Sequence, residues 1–219
     1  TGWDINDWNN LTCNAFRVDG AHNIIRGNYI KNIDFGISVG YDAESTLVEY
    51  NVIENFAGDG LRGLGNYCTF QYNVVKNCYD VNANHDDGFQ SWSYDNGVGR
   101  GTVYGVVLRG NTILNHEDPN QPFRGTLQGI GCFDGMFEDW IIENNVVFVD
   151  MWHGITLLGA KNCVIVNNTV GDLDPAEPGP PWIQVGDHKN GTPSTNCVIR
   201  NNIAPDIRNS SVGGATDHN

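Results

Sequence analysis

One seven-residue pattern recurs along the chain and limits the folds that it can adopt. It consists of two apolar residues, two variable residues, an asparagine, one variable residue and a further apolar residue, as in Ile24–Ile30. Seven copies occur, with asparagines at positions 28, 51, 73, 111, 145, 168 and 202. The steps between them are 23, 22, 38, 34, 23 and 34 residues. A basic step of 22 or 23 residues, lengthened by insertions in some repeats, is typical of a solenoid of stacked coils.

A second pattern, a glycine followed by an apolar residue, lies between successive asparagines. It occurs at Gly36, Gly60, Gly88, Gly129 and Gly154. Two short strands per coil, separated by glycine and asparagine turns, predict stacked parallel sheets. We expect an all-β fold, a right-handed parallel β-helix of about seven coils. It would form a single domain over 1–219, with regular coils over about 13–204 and a C-terminal tail over 205–219. In the alternative, an antiparallel β-sandwich, the strands would not keep a fixed distance from the asparagines.

The asparagines are expected to lie above one another at one bend of the coil. Asparagine tolerates left-handed backbone angles and bonds neighbouring main-chain groups, so stacked copies can pair the buried polar groups of a sharp turn. Neighbours would be about 5 Å apart, the ordinary distance between strands. The positions predicted to share this ladder are Asn28, Asn51, Asn73, Asn145 and Asn168.

The repeated Asn-x-Ile/Val and Gly-Ile/Leu motifs resemble the pectate-lyase-like superfamily of right-handed parallel β-helices. The resemblance covers residues 13–204, and the superfamily includes polysaccharide lyases, glycosidases, uronan epimerases and phage tailspikes. The segment His85–Trp92 (HDDGFQSW) is similar to a motif of bacterial β-helix proteins that act on carbohydrate. The resemblance implies an extracellular, cell-surface or virion protein. It does not select a reaction, because one scaffold supports several.

The residue before each glycine defines a column that turns polar in the middle coils. The column reads Phe35, Asp59, Asp87, Gln128 and His153. Carboxylates stacked about 5 Å apart raise the pKa of one another or require a cation. The candidate catalytic residues are Asp87, which leads, then Asp59 and Asp86 as partner carboxylates, with His85 and His153 as proton carriers.

Three interpretations of Asp59 and Asp87 remain open. Their carboxyls could approach the separation of about 5 to 5.5 Å of a retaining glycosidase. They could instead bind Ca²⁺ through oxygen ligands. Finally, aspartate before glycine is a common turn former that bonds its own backbone.

Strand alternation assigns the residues that would hold a substrate. The residue after each glycine, such as Ile155, should point inward, and the next one, such as Thr156, should point outward. Outward positions also include an aromatic pair on adjacent coils. The candidate substrate-binding residues are Arg62, Gln90, Trp92, Gln128, Phe133 and Arg124.

Insertions concentrate beside the polar column. The gap between the asparagine and glycine motifs is 8 or 9 residues in ordinary coils, but 15 before Gly88 and 18 before Gly129. Further insertions cover 171–181 and 93–102. Long loops on a solenoid often build a binding wall. These loops carry His85, Asp86, His116, Arg124, Asp174 and Glu177.

The charge balance bears on the partner. Asp and Glu outnumber Lys and Arg by 26 to 12, for a net charge of −14. Such a field repels nucleic acid and anionic membranes, and it opposes an acidic glycan unless cations assist. No apolar run approaches the ~20 residues of a membrane helix. We expect a polysaccharide partner, no nucleic acid and no membrane. The six cysteines show no Cys-x-x-Cys spacing, and Cys163 and Cys197 are expected to stack as free thiols.

Together these features predict a protein that binds an extended polysaccharide across the coils and cleaves it by acid/base chemistry. Hydrolysis is narrowly preferred over lyase or epimerase chemistry, because Arg62, without any lysine, is the lone cation of the expected cleft. No cofactor is required, and Ca²⁺ stays an option. The alternative is a non-enzymatic glycan-binding or structural β-helix, such as a tailspike shaft or an adhesin. The open ends are expected to be covered by another copy in a homo-oligomer or by a larger parent chain.

Overall fold

A computed structural model describes residues 2–176 and 178–219, which form one short helix and 25 strands. The helix α1 (Ile5–Leu11) begins with a capping box between Asp4 and Asp7. Its Trp8 is buried and stacks on Tyr79, with ring centroids 4.6 Å apart. The helix therefore packs on the side of the molecule, beside the turn that follows a strand ending at Cys78.

The strands form four sheets in which every pairing is parallel. Sheet A has eight strands: β1 (Phe16–Val18), β4 (Ile37–Val39), β7 (Leu61–Gly63), β10 (Asp86–Trp92), β14 (Leu127–Asp134), β18 (His153–Leu158), β22 (Trp182–Gly186) and β24 (Asp206–Asn209). Sheet B also has eight: β2 (Ile24–Arg26), β5 (Leu47–Glu49), β8 (Thr69–Gln71), β12 (Val107–Arg109), β16 (Ile141–Glu143), β20 (Val164–Val166), β23 (Val198–Arg200) and β25 (Ala215–Asp217).

The two remaining sheets complete the repeat. Sheet C has six strands: β3 (Tyr29–Ile33), β6 (Val52–Phe56), β9 (Val74–Cys78), β13 (Thr112–Leu114), β17 (Val146–Val149) and β21 (Thr169–Asp172). Sheet D has three: β11 (Thr102–Tyr104), β15 (Met136–Glu138) and β19 (Ala160–Lys161). The chain visits sheets A, B and C in turn and adds a strand of sheet D in three middle repeats. The predicted all-β stack of parallel strands is confirmed.

The predicted asparagine ladder is confirmed and is longer than expected. Each side-chain amide donates to the side-chain oxygen of the next asparagine at 2.9 to 3.1 Å. The ladder runs through Asn28, Asn51, Asn73, Asn111, Asn145, Asn168, Asn202 and Asn219. Asparagine was expected at this bend partly because it tolerates left-handed backbone angles. That reason was wrong, because the residue with left-handed angles is the one before each asparagine, with φ of 50° to 69°. Asparagine is used here for its side-chain hydrogen bonds.

Aliphatic and aromatic side chains fill the interior. Ile155 is fully buried, as its inward assignment predicted. A Cβ on Gly88 would lie 2.4 Å from Ile113 of sheet C, so glycine is needed where the strands approach most closely. All six cysteines are free, with Cys13 exposed and the other five buried. Cys163 and Cys197 immediately precede the adjacent strands β20 and β23, and their side chains interact.

Two strands lie in the segment that was expected to be a C-terminal tail. Beyond residue 204, β24 pairs with β22 and β25 pairs with β23, both in register. Neither strand was predicted, because β24 lacks the glycine motif and β25 has Thr216 in place of the second apolar residue of the asparagine motif. Among the described residues, no helix has the length and apolar content needed to cross a bilayer.

Candidate functional site

Four adjoining cavities form one groove across the outer face of sheet A. Their volumes are about 300, 240, 200 and 140 Å³. They share lining residues: His85 borders three of them, whereas Trp92 and Arg62 border two each. The groove extends from β1 to β18, and the longest strands, β10 and β14, form its floor.

Asp87 lies beneath the groove floor: it is fully buried and lines none of the four cavities. Its Oδ2 contacts His85 Nδ1 at 3.1 Å and accepts from Gln90 Nε2 at 3.0 Å, while Oδ1 has no hydrogen-bond partner. Burial raises the pKa of Asp87 to about 7. The hydrogen bond to Asp87 raises the pKa of His85, whose side chain is 65% exposed. The buried carboxylate and the exposed imidazole therefore stabilise the charged forms of each other.

Asp59 is buried and held by Arg62. Oδ2 accepts from Arg62 Nε at 3.0 Å and from Nη2, and Oδ1 accepts from the backbone amide of Asp87 at 3.3 Å. The Arg62 guanidinium lies between the rings of Phe35, at 4.6 Å, and Trp92, at 4.8 Å. Burial raises the pKa of Asp59, and the arginine opposes this shift. Both oxygens are therefore occupied within the protein.

Asp86 points away from Asp87 and is also buried. One oxygen accepts from the Cys78 thiol at 3.3 Å, and the other has no partner. Burial raises the pKa of Asp86 to about 7. Asp86 borders the smallest of the four cavities, together with Asp80 and Gln128.

His153 lies on the opposite side of the largest cavity from His85. Its Nδ1 contacts the Thr156 hydroxyl at 3.1 Å, and that hydroxyl accepts from Trp182 Nε1 at 3.0 Å. The ring meets Phe133 and Trp182 edge to face at 4.8 and 5.2 Å. Burial, with a smaller effect from Lys189, lowers the pKa of His153. The Thr156 oxygen has a second lone pair, so in the tautomer with its proton on Nδ1 the neutral ring donates to this oxygen and Nε2 is left as a proton acceptor.

Thr156 corrects one expectation. Its side chain lies on the outer face, as predicted, but it is fully buried beneath His153 and Trp182. An aspartate at this position would carry a buried charge without a partner, so an outward direction does not make position 156 tolerant of charge.

Aromatic residues line both ends of the groove. At one end, Trp92 Nε1 donates to the Tyr41 hydroxyl at 2.5 Å, and Tyr94 from the inserted segment packs against Tyr41. At the other end, Trp152 and Trp182 stack with ring centroids 6.4 Å apart and an angle of 12°. Trp152 is 41% exposed, so its ring is available to a ligand.

The structure brings together most of the predicted site residues. His85, Gln90, Trp92, Gln128, Phe133 and His153 line the largest cavity, and Asp59 and Arg62 line the adjoining one. Arg124 lines none of the four, because it pairs with Asp174 at 2.5 Å. Glu177 lies outside the described residues.

Sequence reasoning missed Lys189 and Trp182. Lys189 lines the groove, so the expectation of no lysine there was wrong. It binds Asp134 at 2.9 Å from 55 positions away, a contact without any sequence signal. Trp182 pairs in register with His153 and so belongs to the same column. Trp182 was not recognised because it takes the place of the glycine that precedes the apolar residue in the other coils.

The described part of the chain contains no group of three or more His, Cys, Asp or Glu side chains arranged to hold a metal ion. The Ca²⁺ option from the sequence remains a prediction. No family model and no curated protein sequence matches this chain.

Proposed function

We propose that this protein is a carbohydrate-active, right-handed parallel β-helix of about seven coils, related to the pectate-lyase-like superfamily. The cyclic order of sheets A, B and C and the asparagine ladder support this fold. Right-handedness is proposed because connections between parallel strands of one sheet have that hand in about 98% of cases. The groove on sheet A would bind an extended polysaccharide and cleave it by acid/base chemistry.

One observation carries this proposal: two histidines in one cavity have pKa values shifted in opposite directions. The pKa of His85 is raised through its hydrogen bond to Asp87, and the pKa of His153 is lowered by burial. Near neutral pH, His85 is therefore suited to donate a proton and His153 to accept one.

Hydrolysis follows from these roles. Protonated His85 donates to the glycosidic oxygen as the bond from that oxygen to the anomeric carbon breaks. His153 takes a proton from a water molecule whose oxygen forms the new bond to the anomeric carbon. Strand β14 lies between β10 and β18, so the two histidines are two strand spacings apart, roughly 10 Å. This leaves room for a water molecule, as in inverting glycosidases.

Asp87 and Asp59 act indirectly, through the side chains that they hold. Asp87 positions His85 and favours its charged form. Asp59 holds Arg62, whose guanidinium supports the Trp92 ring. The amides of Gln90 and Gln128 and the rings of Trp92 and Phe133 are the groups proposed to contact the sugar. No cofactor is required for this scheme.

The test is turnover of neutral and acidic polysaccharides, read by new reducing ends and by the ultraviolet absorbance of unsaturated products. We expect His85→Asn and His153→Asn each to lower turnover about 10²- to 10⁴-fold while binding persists. His22→Asn, at an exposed left-handed corner, is the matched control and should change nothing.

The pH profile gives a second test of the same roles. The rate should fall as pH rises through the raised pKa of His85 and as pH falls through the lowered pKa of His153, on either side of about 6.5. A wild-type rate that is flat across this range, or unchanged turnover in both variants, would remove the acid/base assignment. Turnover lost in chelator and restored by Ca²⁺ would favour the cation option.

A second function is a non-enzymatic glycan-binding β-helix, such as a tailspike shaft or an adhesin. Two observations favour it: Asp87 lines none of the four cavities, and both oxygens of Asp59 are already occupied within the protein. Binding without turnover for any polysaccharide would select it. Both functions place the protein outside the cell, on the cell surface or on a virion. Both also exclude nucleic acid and membranes as partners and allow a homo-oligomer or a larger parent chain.

A further inference from the structure

We infer that the groove selects a neutral glycan over a uronic acid polymer, an inference that rests on the proposed function. Within the described residues, each lysine or arginine along the groove already has a carboxylate partner. Arg62 binds Asp59, Lys189 Nζ binds both oxygens of Asp134 at 2.9 and 3.0 Å, and Arg17 Nε binds Asp19 at 3.0 Å.

These ion pairs leave the groove without a free cation for a sugar carboxylate. His85 is the other group that can carry positive charge, and it too faces a carboxylate, Asp87. A uronate would have to displace one of these carboxylates while approaching a protein of net charge −14. Repulsion between like charges therefore acts against an acidic polymer at every step of entry.

A second, independent observation concerns an acceptor oxygen in the groove. Gln128 lines the largest and the smallest cavity, and its buried Oε1 has no hydrogen-bond partner. An amide oxygen only accepts, so it needs a donor such as a sugar hydroxyl. An ionised carboxylate has no proton to donate, so a uronate offers one hydroxyl donor fewer, at C6, than the neutral sugar.

The aromatic groups agree with the same ligand. Trp92 and Phe133 line the largest cavity, and Trp152 lies beyond it, next to His153. Their faces suit the apolar faces of sugar rings, which carry no charge. Together, these features favour an uncharged sugar. The cations are already paired, an acceptor oxygen is free for a hydroxyl, and aromatic rings can contact the sugar rings.

The experiment measures binding to pairs of polymers that differ only in oxidation at C6, such as a galactan with polygalacturonate and a mannan with polymannuronate of the same linkage. We expect at least a tenfold preference of the wild type for the neutral member. The variant Asp134→Asn releases Lys189 and should raise the affinity for the uronate several-fold, with a gain that salt removes. Asp139→Asn makes the same charge change at an exposed position outside the groove and should produce no gain.

Tighter binding of the uronate by the wild type, or no gain in Asp134→Asn, would overturn this inference and leave the proposed function standing. Folded protein that binds neither member of any pair would instead remove the proposed function. If Asp134→Asn does not fold, the preference of the wild type for the neutral polymer still tests the inference.

Discussion

The asparagine ladder and the aspartate column are both stacks of polar side chains on successive strands, and they satisfy their polar groups in different ways. Each asparagine carries a donor and an acceptor, so every ladder member donates to the next and accepts from the one before, as Asn111 does between Asn73 and Asn145. The ladder needs no other residue type to complete it. Its six inner members, from Asn51 to Asn202, are buried without any charge.

The aspartate column cannot complete itself, because a carboxylate only accepts. Each member obtains a donor from elsewhere: Asp59 from Arg62, and Asp87 from His85 and Gln90. Asp87 still has one oxygen without a partner, and burial raises its pKa to about 7. Perturbed and incompletely paired groups of this kind are typical of functional sites, whereas self-complementary ladders stabilise the fold.

The largest expected effect tests the ladder. Replacing Asn111 by leucine removes the acceptor of the Asn73 amides and the donor to Phe70 and Asn145. Several buried groups lose their partners, so we expect a loss on the order of 3 to 5 kcal/mol in the free energy of unfolding, measured in denaturant. Asn120→Leu, at an exposed loop position, should cost less than about 0.5 kcal/mol. Equal costs would show that the ladder does not stabilise the protein.

A smaller effect tests the carboxylates through the pH dependence of stability. Asp86 has its pKa raised to about 7 by burial, so the fold favours its protonated form. That contribution is fully present below the unfolded pKa of about 4 and is lost as pH rises through about 7. The raised pKa values of Asp87 and His85 act in the same direction.

The measurement is the free energy of unfolding from about pH 4 to about pH 8. We expect Asp86→Asn to reduce the wild-type decline by on the order of 2 kcal/mol, while Asp139→Asn, an exposed control, leaves the decline unchanged. A wild-type protein that gains stability over this range would contradict the assignment of a buried, protonated Asp86. Asn111→Leu and Asn120→Leu change no ionisable group, so the pH dependence of their stability should match that of the wild type.

The smallest effect compares two exposed aromatic stacks of similar geometry. Trp152 stacks on Trp182 beside the groove, and Tyr72 stacks on Tyr50 beside the ladder, with exposures of 41% for Trp152 and 42% for Tyr72. We expect Trp152→Ala to weaken glycan binding roughly fivefold to tenfold, because about 1 kcal/mol of ring stacking is lost. Tyr72→Ala should leave affinity unchanged, as read by calorimetry. Equal changes would mean that the groove is not the binding surface.

Much of the fold could be predicted because the asparagine and glycine motifs recur at the turns of each coil. The spacing of Asn28, Asn51 and Asn73 predicts the ladder, and the glycine motif predicts the register that places Asp87 beside Gln128. The strands β24 and β25 escaped prediction because β24 lacks the glycine motif and β25 has Thr216 in place of the second apolar residue of the asparagine motif. Pairing with an existing strand is sufficient to hold them in the sheet.

The site could be located but not described in detail from sequence. The column and the loop insertions indicated the correct strands, since outward residues of stacked strands are aligned. The burial of Asp87, the pairing of Arg62 with Asp59 and the arrival of Lys189 depend on side-chain packing and on contacts between distant segments. A repeat pattern contains no record of such contacts.

Gly131 has a consequence for how this site can change in evolution. It lies on the strand next to Asp87, and a Cβ built there would be 2.3 Å from Asp87 Oδ1 and 2.7 Å from the Phe133 ring. The Asp87 carboxylate can thus occupy its buried position because residue 131 has no Cβ. One codon change to alanine would force the Asp87 carboxylate or the Phe133 ring to move. A lineage could in this way alter the position of the buried carboxylate, and with it the contact to His85, without replacing either residue.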